Sequence, residues 1–203
     1  MPFRALIIGL IGVGLGAIIG LMTLVGGQSD RPAVVGATQS TGEAKIGGPF
    51  VLVDQDGKAR SEKDFFGKHT LVFFGFLYCP DICPATLQVI TDTMNRLGAK
   101  QERITPVFIS VDPERDTPEA LKTYLGNFSP RLVGLTGTPD QVQKAAKAYR
   151  AYYKKVPNKD LPGSYTVDHS TILYLMGPDG RYITHFTHGT SPADMAKRLQ
   201  AIL

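Results

Sequence analysis

The sequence predicts an α/β protein in which one hydrophobic span precedes a single domain built on a mostly parallel sheet with helices on both faces and an antiparallel edge. Three observations carry that expectation. The run Ala5 to Gly27 contains no charged residue. Beyond it, short β-branched and aromatic runs alternate with stretches whose apolar residues recur every three or four positions. Three of those stretches open on Thr117-Pro118, Thr138-Pro139 and Ser191-Pro192, each pairing an N-cap residue with proline at the first helical position.

The N-terminal run, residues 1–27, reads as a transmembrane anchor, because at about 1.5 Å per residue a helix over it exceeds the ~30 Å hydrocarbon core. Arg4 lies before it, and Asp30 and Arg31 cancel after it, so the positive-inside rule places the N-terminus in the cytoplasm and the domain outside. A cleaved signal peptide is the alternative, with Gly26 and Gly27 near the cut, although its apolar region runs to only about 7–15 residues. Residues 28–47, rich in Gly, Ser, Thr and Ala without periodicity, read as a flexible tether.

The domain, residues 48–203, opens on a hairpin: Phe50 to Val53, a turn at Asp54-Gln55-Asp56-Gly57, and Lys58 to Arg60. Thr70 to Phe76 is an apolar, aromatic and β-branched run, as expected for a strand covered on both faces. A helix follows, with Pro84 in its first turn and Leu87, Ile90, Met94 and Leu97 on one face. Strands at Ile104 to Val111 and Leu132 to Leu135 alternate with helices from Thr117 toward Leu125 and from Thr138 to about Tyr149. Ser170 to Met176, the turn Gly177-Pro178-Asp179-Gly180 and Arg181 to Phe186 form a closing hairpin, and Ser191-Pro192 starts the last helix. This order has the layout of a thioredoxin-like fold with an N-terminal β-hairpin extension, in which the active thiols sit where a central strand enters the first helix.

Composition narrows the function. The net charge of +4 comes without a dense basic block interleaved with aromatics, which argues against nucleic acid. Two cysteines are too few for a disulfide scaffold. Both fall in F-G-F-L-Y-C-P-D-I-C-P at 74 to 84, between the central strand and its helix. Cys79 and Cys83 can exchange a disulfide or hold a soft metal, and a helix N-terminus there is expected to lower thiol pKa values. A third ligand is available in His169, just before the strand facing the thiols, where thiol oxidoreductases of this fold usually carry a proline. Asp168 is either a carboxylate that takes the other ring N–H or a solvated one. Two thiolates and an imidazole suit copper, although Cys₂His plus water is also a zinc arrangement.

The remaining features read more plainly. His185 and His188 read as surface histidines, with a separate weak metal site as the alternative, and His69 is a turn residue. Lys144, Lys147, Arg150, Lys154, Lys155 and Lys159 form a basic stripe, read as a solvated face with an acidic partner or anionic lipid as the alternative. Asp112-Pro113-Glu114-Arg115-Asp116 is a strand-to-helix loop that could line the site.

From Phe50 onward the chain resembles the Sco/SenC family of membrane-anchored copper proteins. The matching segments are F-G-F-L-Y-C-P-D-I-C-P at 74 to 84, F-I-S-V-D-P-E-R-D-T-P at 108 to 118, A-Y-R-A-Y-Y at 148 to 153 and V-D-H-S-T-I-L-Y-L-M-G-P-D-G at 167 to 180. The resemblance implies copper held by Cys79, Cys83 and His169, on the outer (periplasmic) face of the inner membrane. It also implies service to the binuclear copper centre of cytochrome c oxidase subunit II, with other copper chaperones or thiol reductants as further partners. A thiol-disulfide oxidoreductase that reduces the partner's cysteines is the alternative, and it needs the cysteines without the histidine.

Overall fold

The computed structural model describes residues 45–129, 131–159 and 162–203. The predicted anchor and most of the tether lie outside them, and among the described residues no helix is long and apolar enough to cross a membrane. In chain order the elements are β1 (Val51–Asp54), β2 (Ala59–Ser61), β3 (His69–Gly75), α1 (Ile82–Leu97), β4 (Ile104–Ser110), α2 (Pro118–Leu125), β5 (Val133–Thr136) and α3 (Pro139–Ala148). There follow β6 (Tyr153–Pro157), β7 (Tyr165–His169), β8 (Ile172–Met176), β9 (Tyr182–Thr187) and α4 (Pro192–Ile202). Short 3₁₀ turns add Glu62–Phe65 before β3 and Gly98–Arg103 after α1.

Seven strands form one sheet in the order β2-β1-β5-β4-β3-β8-β9. Parallel pairing joins β3 to β4 and β4 to β5, while β1 joins β5, and β8 joins β3, antiparallel. The parallel centre and the antiparallel edge expected from the alternation are both present, and antiparallel pairing is found on the other side as well, where β1 joins β5. The physical reason is that both hairpins pair edge-on with the βαβ core instead of extending it by crossover helices. Every residue of β3 is buried, which requires cover on both faces because successive side chains point oppositely.

The predicted helix starts are where the sequence places them. Thr117, Thr138 and Ser191 each accept a backbone N–H from the first turn, at 3.2, 3.3 and 3.1 Å, and each precedes a proline. Helix α1 buries Cys83, Leu87, Ile90, Met94 and Leu97 on one stripe and packs against α4. Its cap differs from the others: Asp81 makes no side-chain bond to the first turn, which leaves those N–H groups to the thiol loop.

A second sheet, of β6 and β7 alone, lies where the sequence pattern predicts no strand pair. Its register sets Tyr153 opposite His169 and Pro157 opposite Tyr165. It also breaks the supposed basic face, since Lys154 is exposed whereas Lys155 pairs with Glu114 at 2.6 Å.

Candidate metal centre

Strand β3 ends at Gly75, and the chain turns through Phe76 to Asp81 before α1 begins, with Cys79 N–H donating to the Phe76 carbonyl at 3.3 Å. Cys79 thus stands in the loop ahead of the helix, and Cys83 at its second residue. The Cys83 backbone N–H donates to Cys79 Sγ at 3.3 Å, so a sulfur occupies the place a capping oxygen holds elsewhere. Cys83 is fully buried and belongs to the core, whereas Cys79 is half-buried, and neither forms a disulfide. Gly75 creates the room for the buried thiol: a Cβ there would lie 2.8 Å from Cys83 Sγ and 2.8 Å from the Phe108 ring.

His169 arrives from the other side, on the last residue of β7. Its Nε2 lies 3.4 Å from Cys83 Sγ. Its Nδ1 lies 3.0 Å from the Ser170 carbonyl, and since a carbonyl only accepts, Nδ1 carries the proton. The Nε2 lone pair therefore faces the thiols. Phe73 and Phe76 stand edge-on to the ring, at centroid distances of 6.0 and 5.8 Å. Asp168 does not orient the imidazole, because neighbouring strand residues point to opposite faces and its own side chain is exposed. The backbone of Ser170 does that work.

Burial pushes the Cys83 thiol well above its ordinary range, which reverses at this residue the lowered pKa expected from the helix N-terminus. Burial also lowers the pKa of His169, which keeps the imidazole neutral. The protonated Cys83 can donate its S–H to Nε2 across the 3.4 Å between them, and both residues would serve to hold a metal.

Among the described residues, Cys79, Cys83 and His169 are the group of metal-type side chains that gathers, with their ligand atoms all within 4.8 Å of one another. Two sulfurs, one imidazole nitrogen and no carboxylate make a soft donor set that fits Cu(I), and Cu(II) with imidazole. Of the other three histidines, His185 meets the Tyr182 hydroxyl at 2.6 Å and His188 that of Thr86 at 3.4 Å, while His69 is the buried first residue of β3 and not the turn residue expected. Behind the thiol loop stands Asp116, the last residue of the strand-to-helix loop expected near the site, and its burial is the part that the sequence does not signal. It is fully buried, and it accepts from the Leu77 N–H at 3.1 Å and from the Ser110 hydroxyl at 2.6 Å. Burial raises its pKa to about 6.

Fold and site together define a thioredoxin-like domain that carries a dithiol–imidazole cluster at the entrance to its first helix. The chain belongs to the SCO1/SenC family, whose model matches residues 38–203. It is 42% identical to the mitochondrial SCO1 homolog of Mus musculus over 165 residues, covering 80% of this chain and 58% of the mouse protein. It is 41% identical to the mitochondrial SCO2 homolog of Homo sapiens over 191 residues, covering 93% and 70%. The chain spans about half the length of the first mammalian and plant relatives it matches. Among solved structures, Bradyrhizobium japonicum ScoI with copper bound superposes with a TM-score of 0.72 at 47% identity, covering 78% of this chain and 99% of that one. Yeast Sco1 with copper bound gives 0.71 at 40% identity, covering 77% and 87%.

Proposed function

We propose that this chain is a membrane-anchored copper chaperone, holding Cu(I) or Cu(II) through Cys79, Cys83 and His169 and assisting assembly of the binuclear copper centre of cytochrome c oxidase subunit II. The observation that carries the reading is the convergence of the three ligand atoms within 4.8 Å, with the Nε2 lone pair turned toward the sulfurs. The copper-bound relatives supply the choice of metal, and a 27% identical relative described as a member of the Sco family of cytochrome c oxidase assembly proteins supplies the choice of partner. The uncharged run Ala5 to Gly27 supports a single-pass anchor in the inner membrane, with the domain in the periplasm or an equivalent compartment. Copper is cargo in this reading. Cys79 and His169 are half-buried at the rim while Cys83 is enclosed, so an acceptor's ligands would reach the ion from the Cys79 and His169 side.

The test is to titrate the reduced full chain with Cu(I) and repeat with His169→Ala. A fall in affinity is expected, and unchanged stoichiometry and affinity would remove the histidine from the site.

The contrast between a half-buried and a buried thiol also favours a second reading, reduction of a partner disulfide. The Cys79 thiolate would attack the partner's disulfide and release one thiolate. Cys83 would then attack the Cys79 sulfur of the mixed disulfide and release the second. The chain ends with a Cys79–Cys83 disulfide, and the partner gains two electrons and two protons. Rescue of oxidase assembly separates the readings: a His169→Ala variant that restores it fully favours redox work, and one that fails favours delivery.

A further inference from the structure

The two halves of the metal centre come from separate sheets, so something must set their spacing. The cysteines stand in the loop and first helical turn that follow β3 of the seven-stranded sheet, and His169 ends a strand of the two-stranded ribbon. A two-stranded ribbon is marginally stable by itself. The loop Asp112 to Asp116, which follows β4, touches both halves.

Arg115 is at the centre of that contact. Its guanidinium carbon lies 3.8 Å from the centroid of the Tyr165 ring and 4.7 Å from that of Tyr78. Tyr78 adjoins Cys79, and Tyr165 lies on β7 four residues before His169, on the same face of the strand. Arg115 Nη1 donates to the Tyr165 carbonyl at 3.1 Å, and Arg115 Nε to the fully buried carboxylate of Asp112. Asp112 in turn accepts from the Tyr165 hydroxyl at 2.7 Å. Lys155 of β6 adds a second tie, pairing with Glu114 while its ammonium lies 4.7 Å from the centroid of the Tyr165 ring.

We propose that Arg115 is a positioning residue: it registers the histidine-bearing ribbon against the cysteine-bearing loop and thereby sets the Cys83-to-His169 spacing on which metal affinity depends. A surface ion pair would not do this, being worth little and indifferent to direction. Here a flat cation meets one ring from each half, and its fork bonds backbone on one side and a buried carboxylate on the other. Lysine would keep the charge and lose both the planar contact and the fork. The proposal rests on the copper reading above.

The test is a double-mutant cycle in the full chain, with Cu(I) affinity measured by competition against a chromogenic Cu(I) chelator and the dithiol midpoint measured against glutathione. Arg115→Gln is expected to lower Cu(I) affinity by about 10–100-fold, as loss of a partner that orients a ligand does, and Arg115→Lys is expected to restore little of it. In a His169→Ala background the same change should cost less than about threefold, because no second half remains to be registered. The dithiol midpoint should stay in place, since both sulfurs belong to one half. Tyr78→Leu, at a residue 65% exposed, removes one ring without threatening the core, and should repeat the pattern with a smaller loss. An equal loss in both backgrounds, a shifted midpoint, or no loss at all overturns the positioning role. Wild-type affinity already equal to that of His169→Ala overturns the three-ligand reading itself, whatever Arg115 does.

Discussion

The cysteine half and the histidine half of the centre are held by different physics. Cys83 is a core residue: it lies on the stripe that packs α1 into the protein, against a glycine that exists to admit its sulfur. His169 sits on a ribbon whose side chains are mostly half-buried or exposed, and it is aimed by one carbonyl, two aromatic edges and the ties from the 112–116 loop. One half is fixed by close packing, the other by a few directional contacts. In the proposed delivery role, that contrast places the adjustable ligand on the softer side.

The largest expected effect tests the rigid half. Cys79→Ser or Cys83→Ser should abolish the sulfur-to-copper charge-transfer band of the Cu(II) form, whereas His169→Ala should keep the band and lower affinity. That loss should exceed the roughly 10–100-fold caused by removing an orienting partner, because a ligand itself is gone. A cysteine variant that keeps the band breaks the comparison.

Next comes Asp116, beneath the thiol loop. Its folded pKa, raised to about 6 against an ordinary 3.8, means the folded state holds its proton where the unfolded state has lost it. This group therefore favours folding below about pH 4 and opposes it progressively as pH rises to about 6, by on the order of 3 kcal/mol at neutral pH. Asp116→Asn keeps an acceptor for Leu77 and Ser110 and removes the titration. Denaturant melts from pH 4 to 7 should show the variant gaining on the wild type as pH rises, and parallel curves would contradict this.

Gly75→Ala sharpens the contrast from within. The added methyl would press on Cys83 Sγ and Phe108, so a loss of about 1–3 kcal/mol is expected, with weaker copper binding, when the melts and titrations are compared. The smallest effect is protonic. Cys83 is protonated at neutral pH and its proton must leave when a metal binds, whereas His169 is already neutral. Cu(I) affinity should therefore rise at least about tenfold per pH unit between pH 6 and 8. A flat profile would show that the buried thiol is not a ligand.

The contrast also explains what the sequence could reveal. The strand, the thiol loop and α1 follow each other directly, and the Thr-Pro and Ser-Pro caps mark the later helices by local chemistry alone. The β6–β7 ribbon escaped because Lys154 and Lys155 stand side by side and hide the alternation, although Tyr165, Val167 and His169 carry it on one face. The antiparallel joining of β1 to β5 is non-local, and no short-range signal encodes it. His169 was found only through the layout of the fold. Asp116 was hidden by its charge, since a fully buried carboxylate is what composition argues against.

The central claim is that two sulfurs and one ring nitrogen grip a single ion. X-ray absorption of the reduced, Cu(I)-loaded full chain tests it most directly, by counting the sulfur and nitrogen scatterers around the metal with and without His169. The expected result is two sulfurs and one nitrogen in the wild type, with the nitrogen lost in His169→Ala. A sulfur-only shell, or a shell identical in both proteins, would contradict it.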